Sequence, residues 1–144
     1  MNKLVFIFIL LNGSLMWGQK VTFTEEGILL ELLFIEENTL DTLPGSIIEI
    51  FSGGTRIKTG VSDFKGNDTF YLAKKDIVNN TIKLQVYGPK CKPKKYKLST
   101  NKSLNPIIKL KYGKTIYNTR EDGFNLRKKL DFRVPESLKC GTLN

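Results

Sequence analysis

The sequence predicts an all-β fold, a seven-stranded Greek-key-like β-sandwich with a C-terminal extension. From residue 28 onward the segments are short and rich in β-branched and aromatic residues. Turn-forming residues separate these segments about every ten positions, which is the spacing of sandwich strands. Several segments also alternate between apolar and polar residues, as strands with one buried face do.

Seven strands are predicted, together with the turns that join them. In chain order they are Ile28 to Ile35, Ser46 to Phe51, Thr55 to Val61, Asp68 to Leu72, Thr81 to Tyr87, Tyr96 to Leu98 and Pro106 to Tyr112. The turn Ser52-Gly53-Gly54 contains glycines that supply the positive φ of a tight hairpin. In the next turn, Asp63 is suited to bond the backbone downstream of it, and Gly66 is free to adopt a left-handed conformation. Residues 73–80 form a polar connection with room for one helical turn.

The fifth strand alternates most clearly, and the periodicity fades after the seventh. Ile82, Leu84 and Val86 are predicted to face inward. Residues 115–144 are charged, with scattered apolar side chains, and are predicted to be a partly ordered tail along the sandwich. The predicted organisation is therefore a sandwich domain at 19–112 and a basic C-terminal tail at 113–144.

Residues 1–18 are predicted to be a cleavable signal peptide. Lys3 precedes the unbroken apolar run from Leu4 to Leu11, and a polar break follows at residues 12–14. Cleavage after Gly18 leaves Gln19 as the first residue. The apolar run is shorter than the roughly 20 residues that span a membrane. We therefore expect an exported chain, periplasmic or extracellular, without a transmembrane segment after cleavage.

The net positive charge of the chain indicates which classes of partner to expect. The whole chain has a formal net charge of +9, and the predicted signal peptide contains Lys3 as its one charged side chain. An exported basic protein meets anionic envelope polymers and membrane surfaces before it meets nucleic acid. The expected partner is an envelope protein or an anionic envelope polymer, with no nucleic acid.

The two cysteines, Cys91 and Cys140, are a candidate disulfide. In an oxidising compartment such a pair can bridge, and closing a loop of about 50 residues stabilises by roughly 4 kcal/mol on the chain-entropy account. Two free thiols, or a bond to another chain, are the alternatives. Sequence alone does not choose between them, because it does not give the distance between the two Cα atoms.

Two stretches resemble a known family. Leu43-Pro44-Gly45-Ser46-Ile47-Ile48-Glu49-Ile50 and Thr59-Gly60-Val61-Ser62-Asp63-Phe64-Lys65-Gly66 are similar to carboxypeptidase regulatory-like domains, of the transthyretin-like or prealbumin-like β-sandwich class. The resemblance continues to Tyr112, with Asp68 standing where the family usually has an apolar residue. It implies a seven-strand sandwich that accompanies catalytic or transport modules and does not itself catalyse.

The chain contains no histidine, which excludes Ser-His-Asp and Cys-His catalysis and His-ligated zinc. One branch of the transthyretin-like class hydrolyses hydroxyisourate with histidines and a Tyr-Arg-Gly-Ser ending. The present chain has neither feature, so that activity is not expected. The carboxylate pairs Asp63 with Asp68 and Glu121 with Asp122 are more simply turn caps and solvated groups. As a calcium site, the spacing of Asp63, Asn67 and Asp68 does not match an EF-hand loop. We expect no enzyme, no cofactor and no metal.

The most distinctive surface feature is a candidate anion-binding patch of five lysines. Its members are Lys90, Lys92, Lys94, Lys95 and Lys97. One interpretation is a site for lipopolysaccharide, acidic glycans or an acidic protein. The other is protection of an edge strand, where Lys and Pro discourage aggregation. A second basic cluster lies at Arg127-Lys128-Lys129.

These observations favour an exported, non-catalytic β-sandwich module of the cell envelope, which binds a protein or anionic polymer through its surface. The alternative is a small secreted inhibitor or partner protein that docks through its tail or an edge strand. Retention of partners at high salt separates the two, because electrostatic binding weakens as salt rises.

Overall fold

The computed structural model describes residues 26–132, which form seven strands and one α-helix. The strands are β1 (Gly27–Glu36), β2 (Ile47–Ser52), β3 (Thr55–Val61), β4 (Asn67–Ala73), β5 (Thr81–Tyr87), β6 (Lys94–Ser99) and β7 (Ile107–Leu110), and the helix is α1 (Arg120–Lys129). A single turn of 3-10 helix, Lys74–Asp76, lies in the connection where one helical turn was predicted. Within the described residues, no helix is long and apolar enough to cross a membrane.

The strands form two packed sheets, so the prediction of a β-sandwich is confirmed. One sheet has the order β4-β1-β7 and the other the order β3-β2-β5-β6. All pairs are antiparallel except β1 with β7, which run parallel. The strand β6 is longer than predicted and β7 is shorter. The predicted Greek-key character stays a prediction.

The core lies between the inner faces of the two sheets. On β5 the inward side chains are Ile82, Leu84 and Val86, as the alternation predicted, and all are at most 1% exposed. The other sheet contributes Leu30, Leu32 and Phe34 from β1, and Ile108 and Leu110 from β7. Burial of these apolar surfaces is the main stabilising contribution to the fold.

The turns are formed by the residues that the sequence indicated. Gly53 and Gly54 have φ values of 56° and 89° in the β2–β3 hairpin. The Asp63 carboxylate accepts hydrogen bonds from the backbone N–H groups of Lys65 and Asn67, both at 2.8 Å. Gly66 has a φ of 77° and packs on the Phe34 backbone, where a Cβ atom would lie 3.0 Å from the carbonyl oxygen. The prediction for this turn is confirmed.

The tail is more regular than predicted, because residues 120–129 form α1. Thr119 caps the helix: its Oγ1 accepts from the Asp122 N–H at 3.1 Å, and Asp122 Oδ2 accepts from the Thr119 N–H at 2.9 Å. This reciprocal pair is a capping box. The Tyr117 hydroxyl donates to the Gly45 carbonyl at 2.9 Å, which ties the tail to the sandwich.

Candidate functional site

The outer face of the four-stranded sheet carries a buried carboxylate. Glu49 points outward from β2 yet is only 5% exposed. Arg56 Nη1 donates to Glu49 Oε2 at 3.0 Å, and the Tyr87 hydroxyl donates to Glu49 Oε1 at 3.2 Å. Arg56 Nη1 also donates to the Leu130 carbonyl at 2.6 Å, just beyond α1. The charge of Glu49 is therefore compensated where the tail meets the sheet.

The Tyr87 hydroxyl is held as a neutral donor in this arrangement. Burial raises the pKa of Tyr87 to about 12, and the neighbouring Glu49 carboxylate adds to that effect. A phenol with this pKa stays protonated throughout the physiological pH range. It can therefore keep donating its hydrogen bond to Glu49.

Beside Glu49 the same face forms a groove of about 590 Å³, which we call the lysine groove. Its cations are Lys83 on β5 and Lys95 and Lys97 on β6, all exposed. Phe51, Gln85 and Tyr87 also line it with their side chains. The volume falls in the roughly 300–1,000 Å³ range of small-molecule sites.

Strand register sets the spacing of these side chains in two rows. Phe51 is paired with Lys83, and Lys83 with Lys97, so these three form one row across the sheet. The next row consists of Glu49, Gln85 and Lys95. Directly paired side chains have Cβ atoms about 5 Å apart, and successive rows on one face are about 7 Å apart. Three ammonium groups can therefore approach one extended anionic ligand together.

The structure separates the five lysines of the predicted patch. Lys95 and Lys97 lie in the lysine groove. Lys94 lies on the other side of β6, where its Nζ donates to the Lys109 carbonyl at 3.1 Å and lies 5.1 Å from the centre of the Tyr96 ring. The separation follows from the pleat, because successive side chains of a strand point to opposite faces.

The remaining two lysines precede β6. Lys90 is in a left-handed turn conformation, and its backbone N–H donates to the Tyr117 carbonyl at 2.7 Å. The Lys92 side chain lies against Gly113. Neither residue lines the groove.

Lys83 is a groove residue that the sequence did not single out. The strand β5 pairs with both β2 and β6, so Lys83 is on an interior strand, whereas among the described residues β6 pairs with β5 alone. Protection against edge-to-edge aggregation accounts for lysines on β6. It does not account for Lys83. Directly opposed like charges, such as Lys83 and Lys97, destabilise a sheet. Edge protection therefore does not explain why these two lysines are paired.

The candidate disulfide is only half within the described residues. Cys91 is fully buried in the core, and burial raises the pKa of its thiol to about 11, with a smaller contribution from the Glu36 charge. Cys140 lies outside the described residues, as does the predicted signal peptide at 1–18. The bridge and the leader stay predictions.

Asp122 and Asp68, one from each acidic pair, have structural surroundings. Asp122 caps α1, and hydrogen bonds from the Thr119 and Asn118 N–H groups lower its pKa. Asp68 points between the sheets, and burial raises its pKa to about 6. Its Oδ2 atom is shielded from solvent and lacks a hydrogen-bond partner. Within residues 26–132, no group of three or more acidic or cysteine side chains could hold a metal ion.

Comparison with known proteins shows that solved structures share the fold of this chain. No protein-family model matches the chain, and no curated protein sequence matches it. A solved structure of the Bacillus anthracis TIE protein is similar with a TM-score of 0.50 and 16% identity, over 60% of this chain and 17% of that one. The chain thus spans a small part of that protein, and at this identity the likeness shows the fold alone.

Two further solved structures have lower scores. The 5-hydroxyisourate hydrolase of Klebsiella pneumoniae has a TM-score of 0.47 and 8% identity, over 60% of this chain and 92% of that one. BcpA, the major pilin subunit of Bacillus cereus, has a TM-score of 0.44 and 15% identity, over 60% of this chain and 30% of that one.

The two packed sheets and the lysine groove on the outer face together define the chain as a basic β-sandwich module.

Proposed function

We propose that the chain is an exported, non-catalytic β-sandwich module of the cell envelope that binds an anionic polymer through the lysine groove. The main support for the proposal is Lys83, because it adds a third cation on an interior strand, directly opposite Lys97. A polyanion relieves the repulsion between these two ammonium groups. The net charge, +9 for the whole chain and +8 once Lys3 is removed with the predicted signal peptide, acts in the same direction by attracting polyanions from a distance.

Export and family membership belong to the same proposal. Export rests on Lys3 and the apolar run from Leu4 to Leu11. Membership among carboxypeptidase regulatory-like domains rests on the turn motifs around Gly45 and Gly66. N-terminal sequencing of protein from the native cell tests export: a start near Gln19 supports it, and an intact Met1 contradicts it.

The alternative is a partner protein docked through the tail or an edge strand, and contacts of the tail make its first form less well supported than the groove. Residues 117–130 already bond to the chain's own sandwich, through Tyr117 to Gly45 and through Arg56 to Leu130. This described part of the tail has to detach before it can dock elsewhere. The lysine groove needs no such rearrangement.

Charge reversal within one chain tests the groove. Polyphosphate, a polymer with charge and no sugar rings, is the probe. The variant K83E/K95E/K97E is compared with K90E/K92E/K94E, which changes the net charge by the same amount on lysines outside the groove. We expect the groove variant to weaken polyphosphate binding at least about tenfold, since three favourable charge contacts become repulsive.

The control variant is expected to bind within about threefold of the wild-type chain. Wild-type affinity is also expected to fall as salt rises toward 0.15 M, where the Debye length is about 8 Å. Equal losses in the two variants would show that net charge alone is responsible. Full retention by the groove variant, with an unchanged thermal melt, would overturn the proposal.

A further inference from the structure

The lysine groove contains an aromatic ring in its row of cations. Phe51 is half-buried on β2, next to Lys83 on β5, which is next to Lys97 on β6. On its other side Phe51 is paired with Arg56 of β3. The ring is therefore a part of the groove surface, with cations on both flanks.

An aromatic ring is not needed to bind simple anions. Ammonium groups suffice for phosphate or carboxylate. The face of an aromatic ring carries partial negative charge, and it packs favourably against groups with partial positive charge. The C–H groups on the face of a sugar ring have that character and are apolar enough to leave water on contact with an aromatic surface.

The second row adds groups for hydroxyl recognition. Gln85 lies between Glu49 and Lys95, and its amide can both donate and accept hydrogen bonds. The Glu49 carboxylate does not repel an acidic ligand strongly, because Arg56 and Tyr87 bond to both of its oxygens. The groove thus combines charge, an aromatic surface and a neutral polar group.

We propose that the ligand of the lysine groove is an acidic polysaccharide. The Phe51 ring packs on the face of one sugar residue while Lys83 and Lys97 pair with carboxylates of the polymer. The inference rests on the proposed function, and it narrows an anionic polymer to one with sugar rings. It assigns Phe51 the role of a specificity-determining residue.

The test uses three polymers and two matched variants of the full chain. Polygalacturonate supplies charge and sugar rings, polyphosphate supplies charge alone, and dextran supplies sugar rings alone. Phe51→Leu removes the ring while keeping an apolar side chain of similar size. Phe64→Leu is the control, because Phe64 is 98% exposed on a turn outside the groove.

We expect F51L to weaken polygalacturonate binding about two- to tenfold and to leave polyphosphate binding unchanged. F64L is expected to bind both polymers like the wild-type chain, and dextran is expected to bind weakly or not at all. Equal polygalacturonate affinity of F51L and wild type would overturn this inference and leave the proposed function standing. Absence of binding to both charged polymers would overturn the two together.

A measurement on the wild-type chain covers the case in which F51L does not fold. Nuclear Overhauser effects between the Phe51 ring protons and polygalacturonate are expected in the complex. Their absence, with Lys83 and Lys97 amide signals still shifting on titration, would show that the polymer binds without contacting the ring. That result would overturn the role of Phe51.

Discussion

The two faces of the four-stranded sheet differ sharply although the same strands supply both. On the inner face, residues such as Ile50, Ile82 and Leu84 are at most 1% exposed and form the core. On the outer face, Glu49 is buried by its partners and Lys83 remains exposed. The inner face determines that a sandwich forms, and the outer face determines what the sandwich can bind.

Substitutions at two neighbouring residues of β5 test the difference between the faces most directly. The larger loss in the free energy of unfolding is expected on the inner face. Leu84→Ala removes a buried side chain, and we expect a loss of about 2–5 kcal/mol in the free energy of unfolding. Lys83→Ala is expected to change that free energy by less than about 0.5 kcal/mol. Chemical denaturation of both variants measures the difference. Similar losses would contradict the assignment of the two faces.

Attachment of the tail to the outer face is tested at Gly123. A Cβ atom at this position would lie 2.5 Å from Cε2 of the Tyr117 ring. In Gly123→Ala the Tyr117 ring has to shift, which disturbs its hydrogen bond to the Gly45 carbonyl. We expect this overpacking to cost about 1–3 kcal/mol, of which the higher helix propensity of alanine offsets up to about 1 kcal/mol. Hydrogen exchange of residues 120–129 should become faster in this variant. Asn125→Ala, on an exposed helix position, is the control and should not accelerate exchange.

A smaller and pH-dependent effect on the free energy of unfolding is expected at Asp68, a partly buried residue of β4. Its pKa of about 6 in the folded chain lies above the reference value of 3.8, mainly because of burial and also through the Asp63 charge. The folded state therefore binds the proton more tightly than the unfolded state, so this contribution stabilises as pH falls from about 7 toward 4.

Asp68→Asn should remove that dependence. We expect stabilisation of about 1 kcal/mol at pH 7, after discounting for partial exposure, and a smaller difference from the wild-type chain at pH 4. Thermal melts at the two pH values measure it. Asp76→Asn, on an exposed 3-10 turn, is the control. A destabilised D68N at pH 7 would show that the ionised carboxylate has a favourable partner.

Strand positions could be predicted from the sequence because alternation and turn residues are local signals. The clearest cases are β3 and β5, whose observed ends equal the predicted ones. The groove could not be predicted, because the opposition of Lys83 and Lys97 depends on which strands pair and in what register. Nor could the burial of Glu49, which depends on contacts with Arg56 and Tyr87 across the sheet.

The helix α1 was missed although one local signal was present. Its apolar residues are few, and among its members only Gly123 and Leu126 are buried, so the helical period is weak. The capping box of Thr119 and Asp122 was the available sign of a helix start. In this tail, capping is more informative than hydrophobic periodicity.

The most direct test of the lysine groove compares two single lysines, Lys83 and Lys94. Lys83 lies in the groove on an interior strand, and Lys94 lies on the other side of β6. Calorimetric titration with polygalacturonate is carried out on K83Q and K94Q, which lose the same charge. We expect K83Q to bind about two- to fivefold more weakly than the wild-type chain and K94Q to bind like it. Weaker binding by K94Q, with K83Q unchanged, would contradict the account.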